Sequence, residues 1–447
     1  MTTFADGAAG AEQYRLITLD PGHFHAALVQ KEMYPQVSKR VAVFAPLGPD
    51  LIEHLKRVTL FNTRADKPTS WELDVHAGPD FLKRALAGPK GGIVVLSGRN
   101  AAKMARIAAA VEAGFHVLAD KPWTLSSADI PKVKATLESA ERKGLVAYDI
   151  MTERYEMTSI TARELVRDAA VFGKPVPGTE AEPGVFMESI HHIMKSVAGV
   201  PSLRPLSFFD IEDQGEGLSD VGTHLVDLAQ WTLYPDQAID YRTEIEMLGG
   251  RRWPTVMSKA DFTRVTGLGE YPRELRQWVK SDRFDYFCNN EVSYKLRGVR
   301  VKMNVLWNFE ASPGTGDSYE AIFRGTKARV DIRQGKKENF KPEVYVVPAA
   351  GARAEVAAAV KARIAQLAKR YPGVTAEEGG GEIRILIPDA HRVGHEAHFA
   401  EVTRHFFDYL KSPKSMPAWE TPNMLAKYWV STRGVEMSRG ASASAKK

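Results

Sequence analysis

Short apolar runs alternate regularly with amphipathic stretches over the first 150 residues, and this alternation constrains the fold more than any other feature. Between the runs, apolar residues recur at helical spacing, as in 100–113 and 127–143. Strands that alternate with helices form a parallel sheet covered by helices on both faces. The sequence therefore predicts a doubly wound α/β domain over residues 1–150. Its six predicted strands are Tyr14–Leu19, Val41–Ala45, Leu73–His76, Ile93–Ser97, His116–Ala119 and Leu145–Ile150.

The alternation stops after Ile150, and strand-like runs then follow one another. Several of these runs alternate apolar with polar residues, as expected for a sheet with one exposed face. We therefore expect an α+β domain over residues 151–447 with a large, mainly antiparallel sheet. An added helix over 352–370, a loop over 371–381 and two closing helices at about 396–411 and 420–437 complete the prediction. The runs are Arg242–Leu248, Phe284–Leu296, Val299–Asn308, Ser318–Phe323, Ala328–Arg333 and Glu343–Val347.

Composition excludes several classes of protein. The 447 residues are 44% hydrophobic and 26% charged, as in a globular protein of two domains. The formal charge of +5 is small, and the basic residues are scattered among acids, which argues against nucleic-acid binding. The N-terminus lacks the features of a signal peptide, and no apolar stretch is long enough to cross a bilayer. We expect a cytoplasmic protein without a membrane partner, or a periplasmic one if an export signal has been removed.

The turn after the first strand departs from the usual phosphate-binding pattern. A doubly wound domain of the Rossmann type carries G-x-G-x-x-G there, so that the backbone can approach a pyrophosphate. In Asp20-Pro21-Gly22-His23-Phe24-His25 only the middle glycine remains. We expect Gly22, His23 and Phe24 to contact a dinucleotide, although a plain turn with one glycine explains the sequence equally well.

Further cofactor contacts are expected where neighbouring strands end, because ligands bind at the carboxyl edge of such sheets. The second strand ends in Ala45-Pro46-Leu47-Gly48, without an acid for a ribose or an arginine for a 2′-phosphate. We therefore expect NAD, with NADP not excluded. The expected contacts at the strand ends are Ala45, Ser97, Asn100, Asp120 and Lys121.

Lys121 follows the fifth predicted strand in the sequence Asp120-Lys121-Pro122. An ammonium group at a strand's carboxyl end lies where ligands bind and can hydrogen-bond a substrate hydroxyl. Taken alone, such a tripeptide more often contains a solvated lysine in a turn.

A second candidate constellation lies in the glycine-rich stretch 215–227. Apolar spacing predicts a helix from Leu218, so that Asp220, His224 and Asp227 share one face. Histidine accepts a proton near neutral pH, and a carboxylate one turn away can orient it. A capped helix with a buried, hydrogen-bonded histidine is the competing interpretation.

Together these motifs resemble the Gfo/Idh/MocA oxidoreductases. A strand-end [DE]-K-P followed about a hundred residues later by D-x-G-x-H-x-x-D is typical of that family. Thr152-Glu153-Arg154-Tyr155 is similar to its N-x-R-[YF], and 325–330 is similar to its G-T-x-G-x-[LIV]. In this chain Asp120 stands where members carry glutamate, and Lys103 where many carry histidine.

The resemblance implies specific roles. His224 would be the general base, Lys121 would polarise the substrate hydroxyl and relay its proton, and Asp220 would lie beside them. Arg154 and Tyr155, together with Asp220 and His224, would bind the substrate. The family needs no metal, and its members commonly bury the open face of the large sheet against another subunit, so we expect a homodimer or homotetramer without a metal.

The expected function is an NAD(P)-dependent oxidoreductase that transfers hydride between nicotinamide and a secondary hydroxyl of a sugar, glycoside or polyol. One alternative is an NAD-dependent enzyme that cleaves glycosides through transient oxidation, without net redox change. A non-catalytic sensor of dinucleotide or sugar is another, although it would have no use for Lys121, Asp220 and His224 together.

Two clusters of histidines have more than one possible role. The spacing of His391, His395 and His398 could place three imidazoles on one helical face as metal ligands; alternatively they could line the substrate cleft or simply cap the closing helix. His191 and His192 are adjacent, so on a helix they would point apart and at most one would reach the cleft.

Overall fold

The computed structural model describes residues 13–197 and 200–444, and it confirms a Rossmann-like first domain. Six parallel strands form a sheet in the order β3-β2-β1-β4-β5-β6. The central strand β4 is buried along its whole length, which explains its uninterrupted apolar sequence. The strands are β1 (Leu16–Leu19), β2 (Arg40–Ala45), β3 (Glu72–Ala77), β4 (Ile93–Leu96), β5 (His116–Asp120) and β6 (Ala147–Ile150).

Five helices connect these strands. Gly114 follows α4 with φ 92°, a left-handed conformation that glycine adopts without strain. The first helix is short and ends at Leu28, because Gln30 and Lys31 already donate to carbonyls three residues back instead of four. The helices are α1 (His25–Leu28), α2 (Pro49–Thr63), α3 (Phe81–Leu86), α4 (Asn100–Glu112) and α5 (Ile130–Arg142).

The second half forms an eleven-stranded sheet that is mainly antiparallel, as predicted. Its order is β10-β11-β12-β7-β13-β14-β15-β17-β16, with β8 beside β7 and β9 beside β11. Within this second sheet, the only parallel pair among the described strands is β7 with β12. The strands are β7 (Val185–Val197), β8 (Val200–Ser202), β9 (Ile245–Ser258), β10 (Val279–Lys280), β11 (Arg283–Leu296), β12 (Val299–Glu310), β13 (Ser318–Arg324), β14 (Ala328–Gln334), β15 (Glu343–Pro348), β16 (Thr375–Gly379) and β17 (Glu382–Leu386).

Six further helices accompany this sheet: α6 (Met157–Val166), α7 (Gly217–Leu233), α8 (Lys259–Thr266), α9 (Arg353–Arg370), α10 (His395–Lys411) and α11 (Glu420–Ser444). The added helix and both closing helices were predicted. Helix α10 packs Phe399 and Phe406 on the face of the first sheet that carries Val95 and Leu118. Helix α11 touches both cores, because Tyr428 packs with the first domain and residues such as Val430 pack with the second. No helix in the described ranges is long and apolar enough to cross a membrane.

Two expectations about local structure were wrong. His191 and His192 lie on strand β7 and not on a helix, since the backbone of β7 pairs with β12 and β13. The predicted loop 371–381 contains strand β16, which pairs antiparallel with β17. Strand β16 is exposed along its length, so it has no alternation of apolar and polar residues that could reveal it.

We predict that His54→Leu stabilises the fold, and does so more at acidic pH. His54 is buried on α2, neither ring nitrogen has a hydrogen-bond partner among the described residues, and burial lowers its pKa to about 4. Because this pKa lies below that of an unfolded histidine, the unfolded chain binds more protons as the pH falls through 6.5 towards 4, and stability is lost.

Urea unfolding should therefore show a gain for His54→Leu that is about 2 kcal/mol larger at pH 5 than at pH 7. His76→Leu is the matched control, since His76 already lies beside Asp74 and Arg84 in a partly exposed position. An equal gain at both pH values would contradict the prediction.

Candidate active site

The predicted lysine and the predicted helix meet at the carboxyl edge of the first sheet. Lys121 follows β5, and its Nζ forms an ion pair with the carboxylate of Asp220 and donates to the Asp220 carbonyl oxygen at 3.1 Å. Burial disfavours the charged ammonium, but Asp220 and Asp120 outweigh burial and raise the pKa of Lys121. Burial likewise opposes the charged carboxylate, but Lys121 lowers the pKa of Asp220 to about 2. The two groups form a charged pair at neutral pH.

The start of α7 fixes Asp220 in this position. The helix begins at Gly217, where a Cβ atom would lie 2.1 Å from the carbonyl oxygen of Cys288, so only glycine allows this approach to β11. The N–H of Leu218 donates to Asn290 at 2.8 Å, and the buried Glu216 accepts from Arg252 at 2.6 Å. The glycine-rich entry predicted from the sequence is therefore a packing contact with the large sheet.

His224 lies one turn further along α7 and is buried. Its Nδ1 has no hydrogen-bond partner among the described residues. Burial, together with the charge of Lys121, lowers the pKa of His224 to about 3. The ring is therefore neutral at physiological pH and can accept a proton.

Glu153 completes this group, although no sequence pattern singled it out. Its Oε1 lies 3.1 Å from His395 Nδ1. Burial opposes its charge, but the hydrogen bond from His395 and the nearby His224 lower its pKa to about 2. Burial, with a smaller contribution from the nearby charge of Glu153, raises the pKa of Tyr319, whose hydroxyl has no hydrogen-bond partner in the described part of the chain. No sequence spacing indicates that either residue belongs to the site. They come together only because β6, α10 and the large sheet meet there.

Arg154 and Tyr155, for which contact with substrate is predicted, lie outside this group and have protein partners of their own. Arg154 donates two hydrogen bonds to Asp227 at 2.6 and 2.7 Å, and two more to Glu420 at 2.9 and 3.0 Å. Its guanidinium is thus engaged by protein carboxylates. The Tyr155 hydroxyl lies 2.9 Å from His405 Nδ1 on α10.

The residues predicted to bind a cofactor lie together at the ends of β1, β2, β4 and β5. Ser97 donates to Asp120 at 3.1 Å, and Asn100 donates to the carbonyl of Gln214 at 2.7 Å. A Cβ on Gly98 would lie 2.4 Å from the carbonyl carbon of Gly22, so the two turns touch through their backbones. Phe24 is partly exposed, and Ala45 is buried where β2 ends.

Asp20 precedes this turn and directs its carboxylate into an ion pair with Arg106. It does not cap α1. Burial nevertheless raises its pKa, so Arg106 compensates the buried charge only in part.

The other histidine clusters do not assemble as metal sites in the described residues. His391 Nε2 lies 2.9 Å from the carbonyl of Pro372, His395 contacts Glu153, and His398 is buried with both ring nitrogens unpartnered. His191 and His192 both approach Asp317, at 3.3 and 3.0 Å, although they neighbour each other on a strand.

Comparisons with known proteins agree with this architecture. The family described as "Putative oxidoreductase C terminal domain" matches residues 161–439, more than half of the chain. A "putative oxidoreductase" from Parabacteroides merdae is 44% identical, with a TM-score of 0.92 over 98% of this chain and 100% of the other. The chain therefore belongs to this oxidoreductase family. No curated protein matches it.

Two more distant structures share the fold. GenD2 from gentamicin A biosynthesis, solved with NAD, is 16% identical, with a TM-score of 0.57 over 98% of each chain. KijD10, a 3-ketoreductase from Actinomadura kijaniata solved with NADP and TDP-benzene, is 14% identical, with a TM-score of 0.55 over 95% of this chain and 98% of the other.

We predict that Arg154→Ala lowers the free energy of unfolding by about 3–5 kcal/mol, because it leaves the buried Glu420 without its ion pair and Asp227 with Lys427 alone. Thermal or urea unfolding measures the loss. Lys411→Ala removes an exposed ion pair with Asp408 and should cost less than about 0.5 kcal/mol. Equal effects of the two changes would mean that the buried network is not a main contributor to stability.

Proposed function

We propose that the protein is an NAD(P)-dependent oxidoreductase of the Gfo/Idh/MocA type that acts on a secondary hydroxyl of a sugar, glycoside or polyol. The observation that carries the proposal is the pairing of a charged Lys121 with Asp220, one helical turn from the neutral, unpartnered His224. A fixed cation and a free proton acceptor at the same sheet edge are the groups that oxidation of an alcohol requires.

The first domain fits a dinucleotide. The turn at Gly22 and the loop 97–100 lie at the carboxyl ends of β1 and β4, where strand order reverses in this sheet. His23 Nδ1 and Asn100 Oδ1 are buried there without partners among the described residues, so a bound polar molecule could satisfy them. Residues of both loops, with Ala45 and Asp120, would hold the cofactor, which when bound supplies the hydride acceptor or donor. GenD2 and KijD10, the relatives by fold, were solved with NAD and NADP.

Residues of the chain itself would accept the hydroxyl proton and stabilise the negative charge on the reacting oxygen. The Lys121 ammonium would donate a hydrogen bond to the reacting oxygen and stabilise negative charge on it. Asp220 holds that ammonium in place through both its carboxylate and its carbonyl. His224 would accept the hydroxyl proton at a ring nitrogen, because it is already unprotonated.

Glu153 and Tyr319 support a polyhydroxylated substrate. Glu153 lies near His224, Tyr319 lies near Glu153, and the Tyr319 hydroxyl lacks a hydrogen-bond partner in the described ranges. A carboxylate and a hydroxyl can bind the neighbouring hydroxyls of a sugar ring, which an apolar alcohol could not offer.

We predict that Lys121→Met lowers kcat/KM by about 100-fold or more, because the cation facing the reacting oxygen is lost. The protein would be mixed with NAD or NADP and a panel of polyols, sugars and glycosides, and reduced cofactor and products would be followed together. Lys143→Met, on an exposed pair with Glu112, is the control and should keep full activity.

Binding of cofactor, followed by fluorescence of the reduced nicotinamide, should survive in Lys121→Met. Unchanged turnover in this variant would refute the assigned role. Cleaved glycoside without accumulated reduced cofactor would identify transient oxidation in place of net oxidation.

The pH profile gives a separate prediction. A proton binds His224 only as the pH falls towards about 3, and Lys121 loses its proton only above its ordinary pKa. We therefore expect kcat/KM, which reports the free enzyme, to stay nearly constant between about pH 5 and pH 9. An acidic limb with an apparent pKa between about 6 and 7 would contradict a neutral, buried His224 as the base.

A further inference from the structure

Arg204, which follows strand β8, is a half-buried cation without an ion pair in the described ranges. Its guanidinium packs on the rings of Phe208 and Trp307, 4.8 and 5.8 Å from their centroids. Its Nε donates to the Ile193 carbonyl oxygen at 2.9 Å, and its Nη2 donates to the His192 carbonyl oxygen at 3.2 Å. Because a guanidinium has five N–H groups, Nη1 and one N–H of Nη2 are left without an acceptor among the described residues.

The two carboxylates whose charge reaches Arg204 are already paired with other cations. Asp317 forms an ion pair with Lys195 at 2.7 Å, and Asp220 forms one with Lys121. Burial lowers the pKa of Arg204, and the nearby acidic groups offset this effect only in part. Arginine nevertheless stays charged at physiological pH. The region around Arg204 therefore holds a positive charge that the described residues do not neutralise.

A row of polar and aromatic side chains on the large sheet connects Arg204 to the candidate site. Trp307 of β12 pairs with His191 of β7, and their rings stack at 4.7 Å between centroids. The Ser189 hydroxyl, two residues earlier on β7, lies 2.7 Å from His191 Nε2, and Ser189 pairs with Tyr319 of β13. Since residues two apart on a strand share a face, Trp307 and Tyr319 lie on the same face of the sheet. Arg204 covers the Trp307 end of this row.

Helix α7 packs over the same face. A Cβ atom on Gly217, in the first turn of α7, would lie 3.0 Å from Val305 of β12. Val305 is two residues before Trp307 and shares its face. Asp220, three residues after Gly217, is close enough for its charge to act on Arg204. The guanidinium therefore lies on the Asp220 side of the candidate site.

We propose that Arg204 binds an anionic group of the substrate, either a carboxylate or a phosphate, so that the enzyme prefers an acidic sugar derivative to a neutral one. This inference rests on the proposed function, because it assigns a substrate class to the same site. A guanidinium binds carboxylate or phosphate oxygens through adjacent N–H groups, which here are the free ones of Nη1 and Nη2. The anionic group would lie on the Asp220 side, and other hydroxyls of the sugar would face Glu153 and Tyr319.

Steady-state kinetics with NAD and NADP would compare matched panels of neutral hexoses, hexuronates and hexose phosphates. For the unaltered protein, kcat/KM should be at least about 10-fold higher with one acidic panel than with the neutral sugars. The preferred panel identifies the anion as a carboxylate or a phosphate. Equal kcat/KM for neutral and acidic sugars would overturn the proposal and leave the oxidoreductase function standing.

Arg204→Met removes the charge but keeps an unbranched side chain that can pack on Phe208 and Trp307. It should lower kcat/KM for the acidic sugar by about 10- to 100-fold, mainly through KM, and change that of the neutral sugar by less than about 3-fold. Equal losses for both sugars would overturn the proposal, because they would indicate a purely structural role.

Two further variants separate charge from packing. Arg204→Lys keeps the charge without the paired N–H groups, so its preference for the acidic sugar should be intermediate. Arg370→Met is the matched control, because Arg370 is exposed and packs on Tyr371 at 5.2 Å, in the helix added to the large sheet. It should keep the full preference of the unaltered protein.

Saturation-transfer NMR with the same panels, recorded without cofactor, measures binding separately from turnover. Acidic sugars should bind the unaltered protein and Arg370→Met more strongly than they bind Arg204→Met. If they do so but neither cofactor is reduced, the anionic subsite stands and the proposed oxidoreductase function fails. Binding that is equal in all variants, or absent from all of them, would overturn the subsite.

Discussion

A buried network of charges holds the two halves of the molecule in register, and the geometry of the candidate site depends on it. Arg154, just after β6, binds Asp227 of α7 and Glu420 of α11. Lys427 of α11, fully buried, lies 2.5 Å from Asp149 of β6 and 3.4 Å from Asp227. The network therefore ties the last strand of the first sheet to the helix that carries Asp220 and His224. Since buried charges tolerate little displacement from their partners, this arrangement fixes α7 relative to Lys121 far better than apolar packing alone would.

Within the site, the same degree of burial has opposite consequences for neighbouring groups. Lys121 keeps its charge because Asp220 accompanies it, whereas His224 has no carboxylate in contact and stays neutral. A charged lysine and a neutral histidine that can accept a proton can thus lie in the same site, each keeping its own protonation state. Glu153 adds a negative charge beyond His224, held by His395 from α10. Whether each of these side chains is charged or neutral therefore depends on whether it has an ionic partner, and not on how deeply it is buried.

The sequence was sufficient to predict those parts of the fold and the site that depend on local residue patterns. The strands of the first sheet alternate with amphipathic helices, and Lys121 and Asp220 stand at a strand end and a helix start, so their meeting could be predicted. Strand β16 could not be predicted, because its residues are exposed and only pairing with β17 defines it. The carboxylate partners of Arg154 could not be predicted either, because Asp227 and Glu420 are 73 and 266 residues away. Asp120 lies 95 residues from His25, and their contact depends on the order of β1, β4 and β5 in the sheet.

The position of α10 affects how the protein folds during its synthesis. The apolar face of the first sheet that carries Val95 and Leu118 is covered by Phe399 and Phe406, which are synthesised only after the strands of the large sheet. While the ribosome is still producing the large sheet, that face stays open to water and to other chains. Domains generally fold as units when their sequence is complete, but here the first domain is complete only after the large sheet has been synthesised. The nascent chain therefore offers chaperones an apolar surface throughout synthesis of the large sheet.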